Sequence, residues 1–341
     1  MTAQDRETAP ADHWRTTREV VADAAGAAAL LEIGDQLGLI PHLERGLPVT
    51  AAGLAADTGI RERGIANYLE ALWSAGIVDR TPDTADAFQA VDDFAQIQYE
   101  SGYVYWALAA NRPFITNAVD FLNDPLEEGG SHLRDGRQVA VSSQWMGSKG
   151  FYPVALQTIL DADPSHVVDL GAGTARLLIE ILLRREETTA LALDLDGPSC
   201  REAELAGKRA GVGDRLTVVE RSIQSIADDA TPVKGADLVH AGFVFHDMMP
   251  EEEEIADGVL ANCRDALRPG GIMALTEAVP YVPDPRERRF SAIVTFYHKQ
   301  FMRRRLLNEQ EWTDKLLGAG FSSVECVQHR FPTGRLFIAR K

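Results

Sequence analysis

Two histidines, two glycines and a few carboxylates carry the chemistry open to this chain. Val167-Val168-Asp169-Leu170-Gly171-Ala172-Gly173-Thr174-Ala175 brings an acid to the end of an apolar run. Two glycines and a helix-forming run from Arg176 to Arg185 follow. The pattern predicts a strand, a tight turn and a helix. Gly171 and Gly173 let the backbone turn sharply and approach a ligand, and the helix N-terminus beyond them offers N–H groups. The next apolar run, Leu191-Ala192-Leu193-Asp194-Leu195-Asp196, sets the Asp194 carboxylate where ribose hydroxyls would lie. A dinucleotide fingerprint needs a third glycine where this chain has Arg176, which weakens that reading. Farther on, the pair His246-Asp247 falls at the C-terminal end of a predicted strand, where open α/β sheets bind ligands. Imidazole titrates near neutral pH and suits a general base. His298, taken alone, is a helix-face or core residue. Paired with His246 it makes two neutral imidazoles, which with carboxylate or water oxygens suit a mid-row divalent metal.

These residues need a scaffold. From Ser165 onward apolar runs alternate with helical stretches, and strands are predicted at 166–170, 190–194, 216–220, 236–241, 271–277, 323–328 and 335–340. That alternation gives an α/β fold with a doubly wound, largely parallel sheet over 161–341. Phe331 to Arg340, turning at Pro332-Thr333-Gly334, reads as an antiparallel hairpin at the sheet edge. Upstream, residues 1–15 read as a disordered tail and 16–92 as a winged-helix-like module. An Ala-rich helix runs from Thr16 to Leu39, and Thr50 caps the next. A further helix sets Ile65, Tyr68, Leu69 and Leu72 on one face, and a strand pair ends near Ala90-Val91. Residues 93–160 read as a helical, aromatic-rich linker and pocket region, with Gly129-Gly130-Ser131-His132 as a loop.

The totals exclude several classes. In 341 residues, 45% are hydrophobic, enough for sizeable cores in two domains. A net charge of -17 argues against nucleic acid and anionic membrane as partners, since both are polyanions. The acidic run Glu251 to Glu254 reads as a solvated first helical turn. Cys200, Cys263 and Cys326 are scattered, which suggests neither a disulfide framework nor a thiolate zinc site. Met1 to Asp12 has no apolar signal core, and no run reaches 18 apolar residues, so the expectation is a soluble cytoplasmic protein.

Asp169-Leu-Gly-Ala-Gly-Thr174 resembles the first motif of the class I S-adenosylmethionine (SAM) methyltransferases. Further landmarks are Gly235-Ala-Asp-Leu-Val-His240, Asn262-Cys-Arg-Asp-Ala-Leu-Arg-Pro-Gly-Gly271 and Leu317-Gly-Ala-Gly-Phe321. With them the chain resembles, from about residue 18 to 341, the two-domain small-molecule O-methyltransferases of plants and bacteria. The resemblance implies a Rossmann-like SAM domain preceded by an all-helical, winged-helix dimerisation domain, and hence a homodimer. It implies SAM over Asp169, Gly171 and Gly173, with Asp194 on the ribose. Adenine would lie near Ser222, where the family often has an acid.

In that family the histidine at the position of His246 is a general base, and a glutamate before the late helix orients it. Counted back from Gly318-Ala-Gly-Phe321, that position is Leu306, which cannot orient an imidazole; Glu309 or Glu311 would substitute only if the loop shifts. With His298, the chain resembles instead a subgroup, the metal-dependent 2-oxo acid C-methyltransferases of bacterial peptide-antibiotic pathways. These methylate C3 of phenylpyruvate, 4-methyl-2-oxovalerate or a guanidino 2-oxo acid. The implied cofactors are SAM and a metal ion, iron or zinc, on His246 and His298. Phe243, one turn before His246, cannot be a further ligand. Asp247 is a ligand, a base for the C3 proton, or a partner fixing a histidine tautomer. Arg134 and Arg137 are candidates for the substrate carboxylate. Tyr103, Trp145, Met146, Tyr152, Phe243 and Met302 are candidates for the pocket wall. The rival readings are a metal-free O-methyltransferase with His246 as base, a SAM-binding regulator using its winged helix on DNA, and a methyltransferase relic that transfers nothing.

Overall fold

The computed structural model describes residues 17–82, 84 and 86–341, so the expected tail, 1–15, lies outside the described residues. The chain divides into two compact units. One holds the residues up to Arg112 together with Arg134–Ser148, the other Pro113–Leu133 together with Lys149–Lys341.

The first unit begins with α1 (Thr17–Gln36), α2 (Ile40–Glu44), β1 (Val49–Thr50), α3 (Ala51–Thr58) and α4 (Glu62–Ser74). It continues with β2 (Val78–Arg80), β3 (Ala87–Ala90) and α5 (Phe94–Val104). Thr50 caps α3, its hydroxyl accepting the Gly53 N–H at 3.1 Å. Ile65, Tyr68, Leu69 and Leu72 are all buried on the inner face of α4. The wing has three strands in the order β1-β3-β2, not the two expected. The added strand is two residues long, too short for an alternation to reveal it.

Helices α6 (Arg112–Thr116), α7 (Ala118–Asn123), α8 (Pro125–Ser131), α9 (Gly136–Gly150) and α10 (Tyr152–Asp161) follow. Gly129, Gly130 and Ser131 lie inside α8, where a loop was expected. The Asp124 carboxylate accepts the Leu126 N–H at 3.2 Å and Pro125 takes the first helical position, a start strong enough to carry the glycines.

The second unit is built on seven strands: β4 (His166–Leu170), β5 (Thr189–Asp194), β6 (Leu216–Glu220), β7 (Leu238–Gly242), β8 (Ile272–Ala278), β9 (Ser323–Gln328) and β10 (Gly334–Arg340). Their order is β6-β5-β4-β7-β8-β10-β9. Strands β4 to β8 are parallel, and β10 runs antiparallel to both its neighbours. The expected antiparallel hairpin is β9–β10: β9 forms one edge of the sheet, while β10 lies between β8 and β9 and is buried almost throughout. Helices α11 (Arg176–Arg184), α12 (Gly197–Arg209), α13 (Glu253–Ala266), α14 (Pro285–Phe296) and α15 (Glu309–Gly318) complete it. Val168, Leu170, Val239, Phe245, Trp312 and Phe337 form a core on one face, and Val167, Leu178, Ile181, Leu238 and Leu336 form another. Burial on both faces is why the strands read as continuous apolar runs.

A few polar groups interrupt the core. Asp169 and His240 pair at 2.7 Å across β4 and β7. His329 is buried with neither ring nitrogen hydrogen-bonded to a described residue. Burial, helped by the nearby His240 and Arg335, pushes its pKa down to about 4. Folding therefore disfavours the protonated ring. The contribution is complete above the ordinary value of 6.5 and is lost as the pH falls toward 4. A shift of that size corresponds to about 3 kcal/mol. Urea unfolding of His329→Gln between pH 7 and 4 is expected to show a shallower acid loss than the wild-type protein, by that amount.

Candidate active site

The strand order reverses between β4 and β7, and ligands of open α/β sheets bind beyond the strand ends at such a point. The glycine turn follows β4 and the His246 turn follows β7, so topology puts them side by side. They are in direct contact. Gly171 has φ +73°, and a Cβ there would collide with Val244 Cγ1. Only glycine meets both demands.

The glycine turn is held by backbone bonds. The N–H groups of Gly171 and Ala172 donate to Leu193 O at 2.8 and 3.0 Å. Asp194 accepts from Gly173 N at 2.7 Å through Oδ2 and from Asp196 N at 2.9 Å through Oδ1. Its oxygens keep further lone pairs for a diol. Asp169 is buried against His240. Ser222 sits directly before a short 3-10 turn, Ile223–Ala227, and its carbonyl accepts the Ser225 hydroxyl at 2.6 Å. The Tyr152 phenol is raised above its ordinary pKa by burial, with Arg176 pulling it down and Asp169 and Glu180 pushing it up.

The His246 turn hangs from Glu277 on β8, a residue with no exposure. Glu277 Oε1 accepts the backbone N–H of Phe245 at 2.9 Å and of His246 at 3.3 Å. Oε2 accepts from His246 Nδ1 at 2.7 Å. The imidazole is thus oriented by an acid on β8, and not from the late loop where the resembling family carries its glutamate and this chain has Leu306. Leu306 is buried, Glu309 pairs with Arg335, and Glu311 caps α15 and pairs with Arg305. The signal for Glu277 was a single acid inside the apolar run Ile272 to Val279. Phe243, at φ 56°, carries the strain of turning the chain off β7, and its ring packs on Phe151 at 4.6 Å.

His298 reaches the same place from a different direction. It lies in a π-helical turn, Tyr297–Phe301, that follows α14. Such turns insert a residue and re-aim side chains. Phe301 stacks on Phe114 at 5.0 Å and meets Phe121 at 5.3 Å, which holds the turn against α6 and α7. The two imidazoles face each other nearly at right angles, with ring centroids 5.0 Å apart.

Both rings have a fixed tautomer. His298 Nδ1 donates to Val294 O at 2.7 Å, as His246 Nδ1 does to Glu277. A carbonyl and a carboxylate can only accept, so the lone pair of each ring is on Nε2. That is the form a metal ligand needs, and a carboxylate behind a histidine is a frequent companion of one. Asp247 Oδ1 is 3.8 Å from His246 Nε2. Among the described residues no group of three or more His, Cys, Asp or Glu side chains forms a ready cage.

Tyr103, Trp145, Met146, Arg134 and Arg137 belong to the first unit, not to the unit that carries His246. Trp145 is buried there against Tyr105, ring centroids 5.3 Å apart. Arg137 is taken by Asp35 at 2.7 and 2.8 Å, which corrects its assignment to a substrate carboxylate. Arg134 Nη1 is 3.4 Å from Asn111 Oδ1.

Burial lowers the His246 pKa, but the Glu277 carboxylate, aided by Asp247, more than offsets it, and the net shift is upward. In Glu277→Gln the charge is gone and burial governs. An NMR titration of the His246 ring is expected to move from above the ordinary value in the wild-type protein to below it in the variant.

Comparison with known proteins agrees with this geometry. A methyltransferase domain model matches residues 168–273, from β4 into β8. The methyltransferase ungE' of Aspergillus campestris is 23% identical over 240 residues, 69% of this chain and 68% of that protein. The 2-ketoarginine methyltransferase of Streptomyces arginensis is 27% identical over 210 residues, 58% of this chain and 59% of that one, so the match spans less than two thirds of its length. The crystal structure of human N-acetylserotonin methyltransferase with SAM superposes with a TM-score of 0.61 at 15% identity, covering 96% of this chain and 99% of that one. The fold is the Rossmann-like α/β fold of the class I methyltransferases, and the chain is a methyltransferase enzyme.

Proposed function

We propose that this enzyme transfers the SAM methyl group to C3 of a 2-oxo acid, in secondary metabolism of the peptide-antibiotic kind. The observation that carries the reading is the second imidazole. His298 faces His246 with its tautomer fixed in the same way, an arrangement that a lone general base does not need. His246 Nε2 and His298 Nε2 would hold a metal ion, iron or zinc. Bound there, such an ion supplies the Lewis acidity that makes a C3 hydrogen of a 2-oxo acid removable. The similarity to a 2-ketoarginine methyltransferase supports the substrate class.

The chain's own groups do the rest. Asp169, Gly171, Gly173, Asp194 and Ser222 bind SAM. Asp247, beside His246 Nε2, takes the proton from C3. The C3 electron pair then forms the new C–C bond as the S–CH3 bond breaks and the sulfonium becomes a neutral thioether. Phe243 and Tyr152 close the site against water. The first unit is the dimerisation module of a cytoplasmic homodimer.

One observation favours a second reading. The Glu277–His246 hydrogen bond makes His246 a better base, which suits a metal-free O-methyltransferase deprotonating a phenol.

Methyl transfer to a panel of 2-oxo acids and catechols, with and without chelator, separates the two. The expected result is oxo-acid turnover that falls at least about a hundredfold with chelator and in His298→Ala, as loss of a Lewis acid demands. Catechol turnover indifferent to both would establish the second reading instead. Gly171→Ala is expected to lose SAM binding by calorimetry, since a Cβ there meets Val244.

A further inference from the structure

We propose that Arg304 is the specificity-determining residue that receives the carboxylate of the acceptor substrate. The inference rests on the 2-oxo acid reading above. Three consecutive arginines, Arg303, Arg304 and Arg305, follow the turn that carries His298. Two of them turn outward. Arg303 pairs with Glu251 at 3.1 Å, and Arg305 with Glu253 at 3.4 Å and Glu311 at 2.5 Å. Arg304 turns to the histidines. Its Nε is 3.4 Å from Asp247 Oδ1, the same oxygen that stands 3.8 Å from His246 Nε2.

The backbone enforces this divergence. Arg303 has φ 54°, a left-handed conformation that swings the chain between its neighbours. The Arg304 N–H donates to His298 O at 2.7 Å, and the Arg305 N–H to Met249 O at 3.2 Å. Arg304 is thereby pinned to the turn that presents His298. Its charge is felt at His246, where it opposes protonation.

The chemistry of the group points to a carboxylate. A guanidinium offers a planar fork of N–H donors matched to two carboxylate oxygens. Asp247 engages it through one oxygen at Nε, at a distance longer than a strong hydrogen bond. Asp247 is half-exposed or more, and its oxygen marks where an anion sits between Arg304 and His246. A substrate carboxylate meeting the fork there would hold its 2-oxo group toward the two Nε2 atoms. On a chain of net charge -17, such an inward cation is also what draws an anionic acceptor to the site. A phenol has no use for it.

The test uses the full-length protein as wild type, Arg304→Gln, Arg304→Lys and, as a control on an outward neighbour, Arg303→Gln. Phenylpyruvate and 4-methyl-2-oxovalerate are titrated calorimetrically and assayed for turnover, beside their uncharged amides. The expected result is a loss of oxo-acid affinity and a rise in its KM of about tenfold to a hundredfold in Arg304→Gln. The KM for SAM and the melting temperature stay unchanged. Arg304→Lys recovers part of the loss, Arg303→Gln matches wild type, and the amides do not respond to residue 304. Oxo-acid binding and turnover unaltered in Arg304→Gln overturn this inference and leave the proposed function standing. A wild-type protein that methylates catechols and binds neither oxo acid overturns both.

Discussion

A carboxylate with no access to water must have its charge met by N–H groups, and the active turn is organised around one that does. Glu277 accepts from two consecutive backbone amides and from an imidazole, all in the turn that follows β7. Charge-assisted bonds of this kind are about twice as strong as neutral ones. Removing them would leave a buried anion unpaired, a cost of several kcal/mol by order of magnitude. The turn therefore has one conformation. It fixes the ring plane of His246, its tautomer, and the direction of its Nε2 atom.

That constraint explains what surrounds it. The strained φ of Phe243 is tolerated because the residues after it are held by Glu277. Val244, in the same turn, occupies the space that a side chain at position 171 would need, so the cofactor turn and the histidine turn shape each other. The reversal of strand order between β4 and β7 makes the meeting possible. Depth in the sheet does the rest: Glu277 is one residue beyond Thr276, which pairs with Gly242, and so lies level with the turn it holds.

His298 arrives by a different physical route. No charge fixes it. A π-helical turn re-aims the chain at the end of α14, aromatic packing from Phe114 and Phe121 holds that turn, and a carbonyl one turn back fixes the ring. The arginine run that follows splits by the same logic. Carboxylates on the outer surface take Arg303 and Arg305, while a left-handed residue and a bond to His298 O send Arg304 inward.

The seven strands of the sheet, the glycine turn and the α4 core face were legible in the sequence, because burial on one or two faces imposes a period that survives in the residue order. That positions 246 and 298 carry imidazoles was legible by residue type, while their meeting with ring centroids 5.0 Å apart was not. The two-residue strand β1 and the helix through Gly129 and Gly130 were not, being decided by a partner strand and by capping rather than by period. Glu277 was hidden for a related reason. In sequence it is one acid in an apolar run, and its partner is 31 positions away. Whether Arg134 or Arg137 was committed elsewhere was equally closed, because any arginine reads as surface charge until its neighbours, such as Asp35 for Arg137, are known. The sequence by itself determined which groups exist and which strands carry them. Only the tertiary structure decided which buried charge each donor must satisfy, because hydrogen-bond partners are set by distance in space and not along the chain.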